Sequence, residues 1–256
     1  MILALSVENT NLVLGVFQGE ELLFTSRMAT DRSKTGDEYA IAFRSILDLH
    51  NLSPREIQGS IVSSVVPALI NQIKVALRLT LGKEPLVVGP GVKTGLNILM
   101  ENPASLGSDL VVNAVAATAE YPAPLIVIDM DTATTLCAVN EKKSFVGTVI
   151  APGAGLAAAA LADACDQLPR ISLEAPREVI GKNTIDCMKS GAVYGTAAML
   201  DGMVMRMEKQ LGMSCTVIAT GSLAGIIAPH CSRDIIVDDR LLLKGLRRIY
   251  EKNMRK

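Results

Sequence analysis

The chain has 256 residues, of which 49% are hydrophobic and 20% are charged, and its formal net charge is −1. A length above that of a typical domain predicts one large or two medium domains, with enough apolar residues for a buried core. A charge near zero and an aromatic content of 3% argue against a nucleic-acid partner, because such partners are held by basic surfaces and aromatic stacking.

The apolar segments are too short to cross a membrane. Mean hydropathy is +0.34, but Asp, Gly, Pro or Lys interrupts every apolar run before it reaches the roughly 20 residues that a span needs. The first residues, MILALSV, lack a basic region and a cleavage site, so we expect a strand there, no membrane partner and a cytoplasmic protein. The odd number of cysteines and the lack of a CxxC pair predict reduced core residues, namely Cys137, Cys165, Cys187, Cys215 and Cys231.

The first half of the chain predicts three strands followed by alternating helices and strands. Hydrophobic periodicity and turn residues place strands at 2–7, 12–16, 22–26, 61–66 and 86–88, and helices at 37–51 and 69–81. Asp37 is the predicted cap of the first helix.

The second half repeats this order with longer helices. A helix at 109–119 precedes strands at 125–129, 136–139, 144–150 and 216–220, and further helices are expected at 153–164, 187–211 and 240–253. Such a repeat indicates two domains of one α/β class, which we place at residues 1–119 and 120–256.

The segment Leu125–Thr135 (LIVIDMDTATT) is the strongest candidate for a functional turn. An apolar strand ends at Asp129, and hydroxyl side chains follow from Thr132 onward. A carboxylate beside exposed backbone N–H groups suits a phosphate or a cation. Asp and Thr also form ordinary hairpin turns, so that alternative stays open. A similar segment, VENTN at 7–11, lies near the beginning of the chain.

These two turns, with ATGS at 219–222, resemble those of the actin-like ATPase and sugar-kinase superfamily, in which two ribonuclease-H-like domains clamp a nucleotide. The chain is further similar to the type III pantothenate kinases over essentially its whole length. The matching segments are KTGDEYA at 34–40, SSVVP at 63–67, PLVVGPGVKTGL at 85–96, GSDLVVNAVAA at 107–117, IAPGAGL at 150–156, LPR at 168–170, IGKNTIDCMKSG at 180–191 and ATGSLAGIIA at 219–228. The resemblance implies an α/β fold of two tandem ribonuclease-H-like domains, each a mixed sheet flanked by helices.

The resemblance also implies an activity: ATP phosphorylates pantothenate to 4′-phosphopantothenate, the first step of coenzyme A biosynthesis. Mg²⁺ on the phosphates and a monovalent cation, K⁺ or NH₄⁺, are the implied cofactors. By matched position Asp109 is the general base and Asp129 holds the monovalent cation. The implied nucleotide-binding residues are Ser6, Asn9, Thr10, Asn11, Thr132 and Gly221, and the implied substrate-binding residues are Met100, Gly107, Ser108, Leu110 and Thr184. A helix N-cap is the alternative role for Asp109.

Several positions depart from the pattern of that family. Ser6 replaces an aspartate on the metal side, and Leu110 replaces an arginine that grips the carboxylate of pantothenate. Glu8, Asp131 and Ser222 replace glycines, Met100 replaces a tyrosine, and Thr148 stands where a second glycine is usual. A carboxylate about 4 Å from a phosphate charge would cost on the order of 4 kcal/mol at an effective dielectric constant near 20.

These substitutions predict weak binding of ATP and pantothenate and a reduced or altered activity. Three hypotheses remain open: a slow pantothenate kinase, a kinase for a different small alcohol, and an inactive homologue that binds or regulates.

A homodimer is expected from the Met-rich segment Ala198–Met213, where Met199, Met203 and Met207 recur every four residues. Apolar residues on more than one face predict a helix covered on both sides. Burial within one chain would explain the same pattern, but the resemblance implies a dimer that completes the substrate site.

Overall fold

The computed structural model describes residues 1–254 of the chain. Its strands, in chain order, are β1 (Ile2–Val7), β2 (Asn11–Gln18), β3 (Glu21–Ala29), β4 (Gly59–Ser64), β5 (Leu86–Val87), β6 (Asn97–Ile98), β7 (Leu125–Met130), β8 (Ala133–Val139), β9 (Ser144–Pro152), β10 (Thr216–Thr220) and β11 (Ile236–Val237). The α-helices are α1 (Gly36–Leu49), α2 (Ile70–Leu81), α3 (Ser108–Glu120), α4 (Ala154–Ala164), α5 (Thr184–Leu211), α6 (Ala224–Ile227) and α7 (Leu241–Met254). Within the described residues, no helix is both long and apolar enough to cross a membrane.

The chain forms two compact units. The first comprises Met1–Gly95, Ala104–Ala116 and the chain from Leu242, and the second comprises Leu96–Pro103 and Ala117–Leu241. The closing helix α7 therefore belongs to the first unit, although it follows the second in sequence.

The sheet of the first unit has the strand order β3-β2-β1-β4-β5. Strand β1 pairs antiparallel with β2 and parallel with β4, so the sheet is mixed. Residues 3–7 of β1 are all buried, as expected for a central strand covered on both faces. The side chains of Tyr39, Phe43 and Leu47, four residues apart on one face of α1, are buried in this core.

Helix α1 begins two residues earlier than the sequence predicts, because its cap is Thr35 and not Asp37. The Thr35 side chain accepts a hydrogen bond from the Glu38 backbone N–H, and the Glu38 carboxylate accepts one from the Thr35 backbone N–H at 2.7 Å. This reciprocal capping box satisfies two N–H groups that the helix itself cannot pair. Asp37 lies inside the first turn.

The sheet of the second unit has the order β11-β10-β7-β8-β9-β6. Without the two-residue edge strand β6 and taken in reverse, this order is β9-β8-β7-β10-β11, which matches the first sheet strand for strand. As β1 does in the first sheet, β7 pairs antiparallel with the next strand in sequence, β8, and parallel with β10. The repeated topology confirms the predicted α/β fold of two ribonuclease-H-like sheets. The short strands β6 and β11 have no counterpart among the predicted elements, because two residues carry too little periodicity.

Helix α5 buries one face in the second unit. Its buried residues from Val193 onward recur at intervals of three and four, at Val193, Ala197, Leu200, Val204 and Met207. Met199 and Met203 are only partly buried, and Met205 is 60% exposed. The prediction of two covered faces is therefore not met within the chain itself. Gly212 ends the helix in the left-handed conformation, with φ of 75°.

Candidate functional site

In the first unit, hydroxyl groups collect where the parallel strands β1 and β4 end. Ser6 lies directly opposite Ser63 in the register, and both are 1% exposed. The Ser63 and Ser108 hydroxyl oxygens are 2.7 Å apart, within hydrogen-bond distance, and the Ser108 hydroxyl lies 3.2 Å from the Ser64 carbonyl oxygen, to which it donates. The first residue of α3 is thereby attached to the carboxyl end of β4, the edge at which α/β sheets bind ligands.

Asp109 lies in the first turn of α3, beside this hydroxyl cluster. The Gly107 carbonyl oxygen accepts a hydrogen bond from the Val111 N–H at 3.3 Å, so Gly107 occupies the cap position and the N-cap alternative for Asp109 is wrong. A side chain on Gly107 would overlap Asp109 Oδ1. The glycine therefore leaves room for the carboxylate beside the first turn of α3.

The turn between β1 and β2 contains the first pair of altered residues. The Ser6 hydroxyl donates a hydrogen bond to Glu8 Oε1 at 3.1 Å. The Thr30 hydroxyl donates to the Glu8 carbonyl oxygen at 2.6 Å, which fixes the backbone of the turn. Asn9 and Thr10 are exposed at its tip. Glu8 thus places a carboxylate within hydrogen-bond distance of the Ser6 side chain.

The second unit has an equivalent edge, where β7 and β10 end. Thr220 pairs with Asp129 in the parallel register. The next residue, Gly221, has φ of +93°, and a Cβ there would lie 2.6 Å from the Met130 nitrogen and 2.7 Å from Asp129 Oδ1. Both the left-handed conformation and the close approach require glycine at this position. The turn after β10 therefore packs directly on the Asp129 carboxylate.

The second pair of altered residues joins the two turns of this edge. Asp131 Oδ1 accepts hydrogen bonds from the Ser222 backbone N–H at 3.0 Å and from the Ser222 hydroxyl at 2.6 Å. Thr132, next to Asp131, is half-buried, and its carbonyl oxygen accepts a hydrogen bond from the Gly153 N–H at 3.1 Å. All four altered residues of these turns are hydrogen-bonded in two pairs, Ser6 with Glu8 and Asp131 with Ser222, and no local sequence pattern signals the second pair.

The residues matched to substrate binding fall into different surroundings. Leu110 is buried, at 6% exposure, whereas Met100 is half-buried and Thr184 is exposed. Thr184 lines two adjoining cavities of the second unit, of about 550 and about 440 Å³. Asp166 is among the residues that line the larger cavity, and the smaller is lined mainly by apolar residues of α4 and α5 together with Leu168.

The guanidinium of Arg170, which follows a segment lining the larger cavity, donates to Asp163 Oδ1 at 2.8 Å. That exposed arginine is therefore already paired with a carboxylate.

Among residues 1–254, no group of three or more His, Cys, Asp or Glu side chains could form a metal site by itself. All five cysteines are free thiols in this part of the chain, but only Cys137 and Cys215 are buried. The expectation that all five belong to the core is wrong for Cys187, which is exposed. Burial raises the pKa of the Cys231 thiol to about 11, so this partly buried group stays protonated at neutral pH.

The sequence matches the family model for type III pantothenate kinases over residues 2–206. A type III pantothenate kinase from Exiguobacterium sp. is 47% identical over 255 residues, covering 100% of both chains. The protein of the same name from Moorella thermoacetica is 46% identical over 253 residues, covering 99% of this chain and 100% of that one. The chain belongs to the type III pantothenate kinase family.

The fold is also found in a solved structure of a putative 2-dehydro-3-deoxygalactonokinase from Sinorhizobium meliloti. That structure is 11% identical, covers 100% of this chain and 98% of its own, and has a TM-score of 0.59. At such low identity the likeness concerns the fold alone. The two pantothenate kinases named above match this chain over essentially its whole length, so the family assignment applies to both units.

Proposed function

We propose that this chain is an ATP-dependent kinase of a small alcohol, and that it phosphorylates pantothenate more slowly than an uncharged alcohol. The observation that carries this proposal is Asp109, which is retained in the first turn of α3 with Gly107 leaving space for its carboxylate. A carboxylate at hydrogen-bond distance from an alcohol accepts its proton as the oxygen attacks phosphorus.

In the proposed reaction, the acceptor oxygen forms a bond to the γ-phosphorus of ATP while the bond from that phosphorus to the β,γ-bridging oxygen breaks. The hydroxyl proton passes to Asp109, and ADP leaves. Asn9 and Thr10, exposed in the first turn, are the proposed donors to phosphate oxygens. Positioning and electrostatics supply most of the rate in such transfers.

The chain offers oxygen ligands for the cations of the family. Mg²⁺ is bound mainly by ATP phosphates and needs one or two protein carboxylates, so we propose that Glu8 supplies the one missing at position 6. For the monovalent cation we propose Asp129 with Thr135, which lies opposite it on β8. Thr135 Oγ1 is buried and has no hydrogen-bond partner among residues 1–254, as expected of an oxygen that coordinates an ion when the ion is bound. When bound, these cations would neutralise phosphate charge.

The acceptor preference rests on Leu110. A leucine cannot pair with a carboxylate. Compared with arginine, it lacks a charged hydrogen bond that would contribute about 1.5–3 kcal/mol to the binding free energy of pantothenate. We therefore propose that an uncharged amide of pantothenate is used about tenfold or more better than pantothenate, since 1.4 kcal/mol corresponds to a factor of ten.

The test is direct measurement of ADP release with ATP, Mg²⁺ and either pantothenate or its uncharged amide. Asp109→Asn should abolish turnover with both acceptors. Asp37→Asn is the matched control, because Asp37 is also an aspartate in the first turn of a helix of the first unit and is exposed. Equal turnover by wild type and Asp109→Asn would disprove the role of Asp109, and a preference for pantothenate would disprove that of Leu110.

The second candidate function is an inactive homologue with a binding or regulatory role. The altered residues Ser6, Glu8, Asp131 and Ser222 favour it, since all four lie in the turns matched to phosphate and nucleotide contacts. Absence of ADP release with both acceptors, in a protein that still binds nucleotide, would select this alternative. For either function we propose a cytoplasmic homodimer.

A further inference from the structure

The donors of the turn after β10 are the starting observation. Gly221 is left-handed, and the N–H of the following residue, Ser222, points to Asp131 Oδ1 at 3.0 Å. The Ser222 hydroxyl donates to the same oxygen at 2.6 Å. Backbone N–H groups beside a left-handed residue are a common binding position for anions. In this chain the anion at that position is a side chain of the protein itself.

The carboxylate comes from a distant part of the sequence. Asp131 and Ser222 are separated by 91 residues, and their contact joins the turn after β7 to the turn after β10. The two strands are already fixed by their parallel pairing from Thr216 to Thr220. The turns are therefore held together without the Asp131 carboxylate, and the contact adds a negative charge to an edge that the fold has already assembled.

This charge is accessible to a ligand. Ser222 is exposed and Asp131 is half-buried, so a phosphate group could approach the same donors from solvent. It would have to displace Asp131 Oδ1 or lie beside it, and like charges in contact repel. A neutral ligand would meet no such repulsion.

We propose that Asp131 is an internal anion that occupies the phosphate-binding donors of the 220–222 turn and sets the ligand preference of the second unit. It lowers the affinity for nucleoside phosphates and leaves the affinity for an uncharged nucleoside unchanged. This inference rests on the proposed function in one respect, namely that a nucleotide is the ligand of this edge.

Two variants separate the charge from the hydrogen bonds. Asp131→Asn keeps an acceptor oxygen for Ser222 and removes the charge, whereas Ser222→Ala removes one donor and keeps the charge. Calorimetric titration of each with ADP and with adenosine, in the absence of divalent metal, measures the ratio of the two affinities. We expect Asp131→Asn to bind ADP about tenfold more tightly, equivalent to about 1.4 kcal/mol, with adenosine affinity within about twofold of wild type.

Ser222→Ala should leave ADP binding no tighter than in wild type. An unchanged ratio of ADP to adenosine affinity in Asp131→Asn would overturn the inference, and so would undetectable ADP binding by that variant. An equal gain in Ser222→Ala would also overturn it, since the hydroxyl and not the charge would then be responsible.

A structural readout checks that the contact exists in solution. Hydrogen exchange of the Ser222 amide should be faster in Asp131→Ala than in wild type, because the acceptor is lost. Equal exchange rates would contradict the arrangement on which the inference is built. Failure of the proposed function is distinguishable, because it appears as absent turnover by the wild-type chain, whereas this inference is measured by affinities and exchange rates alone.

Discussion

At the level of single residues, the altered positions of the two turns act as partners. Ser6 and Glu8 are joined by one hydrogen bond, and Asp131 and Ser222 by two. A reversion of one member therefore changes the surroundings of the other. Restoring the family residues singly is expected to give misleading results, because the remaining partner would face a charge or an empty space to which it is not adapted.

Ser6→Asp should destabilise the protein while Glu8 is present. Ser6 is 1% exposed and its hydroxyl lies 3.1 Å from Glu8 Oε1, so a second carboxylate would be placed against the first. We expect a loss of about 1–3 kcal/mol in the free energy of unfolding, of which Ser6→Asp combined with Glu8→Gly regains most. Urea unfolding of the two single variants and the double variant measures this coupling. Additive effects of the two substitutions would refute it.

Leu110→Arg should not simply restore an arginine to the substrate site. Leu110 is buried in the single chain, with only 6% of its surface exposed. A guanidinium at this position therefore loses hydration unless a ligand carboxylate pairs with it. We expect the variant to be less stable by about 2–4 kcal/mol, comparable to other buried unpaired polar groups. Leu110→Met is the control of similar volume, with an expected cost below about 1.5 kcal/mol. Thermal unfolding distinguishes them, and equal midpoints would show that the arginine reaches solvent.

At the level of elements, the end of α5 is tied to the segment before β11 by an ion pair. Arg233 donates to both carboxylate oxygens of Glu208, at 2.7 and 2.9 Å, and the Cys215 backbone N–H donates to Glu208 Oε1 at 2.7 Å. The hydrogen bonds from Arg233 lower the pKa of Glu208, against the opposing effect of burial, and the Cys215 amide lowers it further.

Glu208 should therefore make stability depend on pH in the acid range. Because the folded pKa lies below the unfolded one, its contribution is fully present above about pH 4.5 and is lost as pH falls through the folded pKa. Glu208→Gln should cost about 1.5–3 kcal/mol at pH 7 and much less near pH 3. Urea unfolding of both proteins at the two pH values measures the difference. An equal cost of Glu208→Gln at the two pH values would show that the substitution removes packing and not a charge interaction.

Elements with strong periodicity could be predicted from the sequence, and contacts between distant residues could not. The buried runs of β1 and β7 and the four-residue spacing of Tyr39 and Phe43 follow from local patterns. The predicted cap of α1, Asp37, differs from the observed cap, Thr35, because both are good capping residues. Only the geometry shows which side chain accepts the backbone hydrogen bond. The contact of Asp131 with Ser222, 91 residues away, has no local signal.

The sequence also could not predict which unit α7 packs against. Its amphipathic pattern shows that one face is covered, but not by which unit. In the structure, Arg247 is buried and donates to Glu251 on the same helix, and its guanidinium lies 5.8 Å from the centre of the Phe17 ring. These contacts with the first unit are set by the path of the whole chain.

At the level of the whole molecule, α5 presents a second stripe that the chain itself does not bury. Small residues recur along it at intervals of three and four and lead to an exposed methionine; the stripe consists of Gly191, Gly195, Ala198, Gly202 and Met205. Four of these five residues have no side-chain atoms beyond Cβ, so another helix could approach the backbone of α5 closely. A second copy of the chain is the partner that the proposed homodimer supplies.

The homodimer predicts a particle of twice the chain mass of 27.1 kDa in light scattering at micromolar concentration. Met205 is 60% exposed in the single chain, so its substitution by glutamate should leave folding intact and oppose association by burying a charge at the interface. We expect Met205→Glu to shift the mass toward the monomer, with unchanged circular dichroism, and Met205→Leu, the apolar control, to remain dimeric. A monomeric wild type would disprove the dimer. A dimeric Met205→Glu would instead move the interface away from this stripe, because a buried, unpaired carboxylate there should weaken association by several kcal/mol.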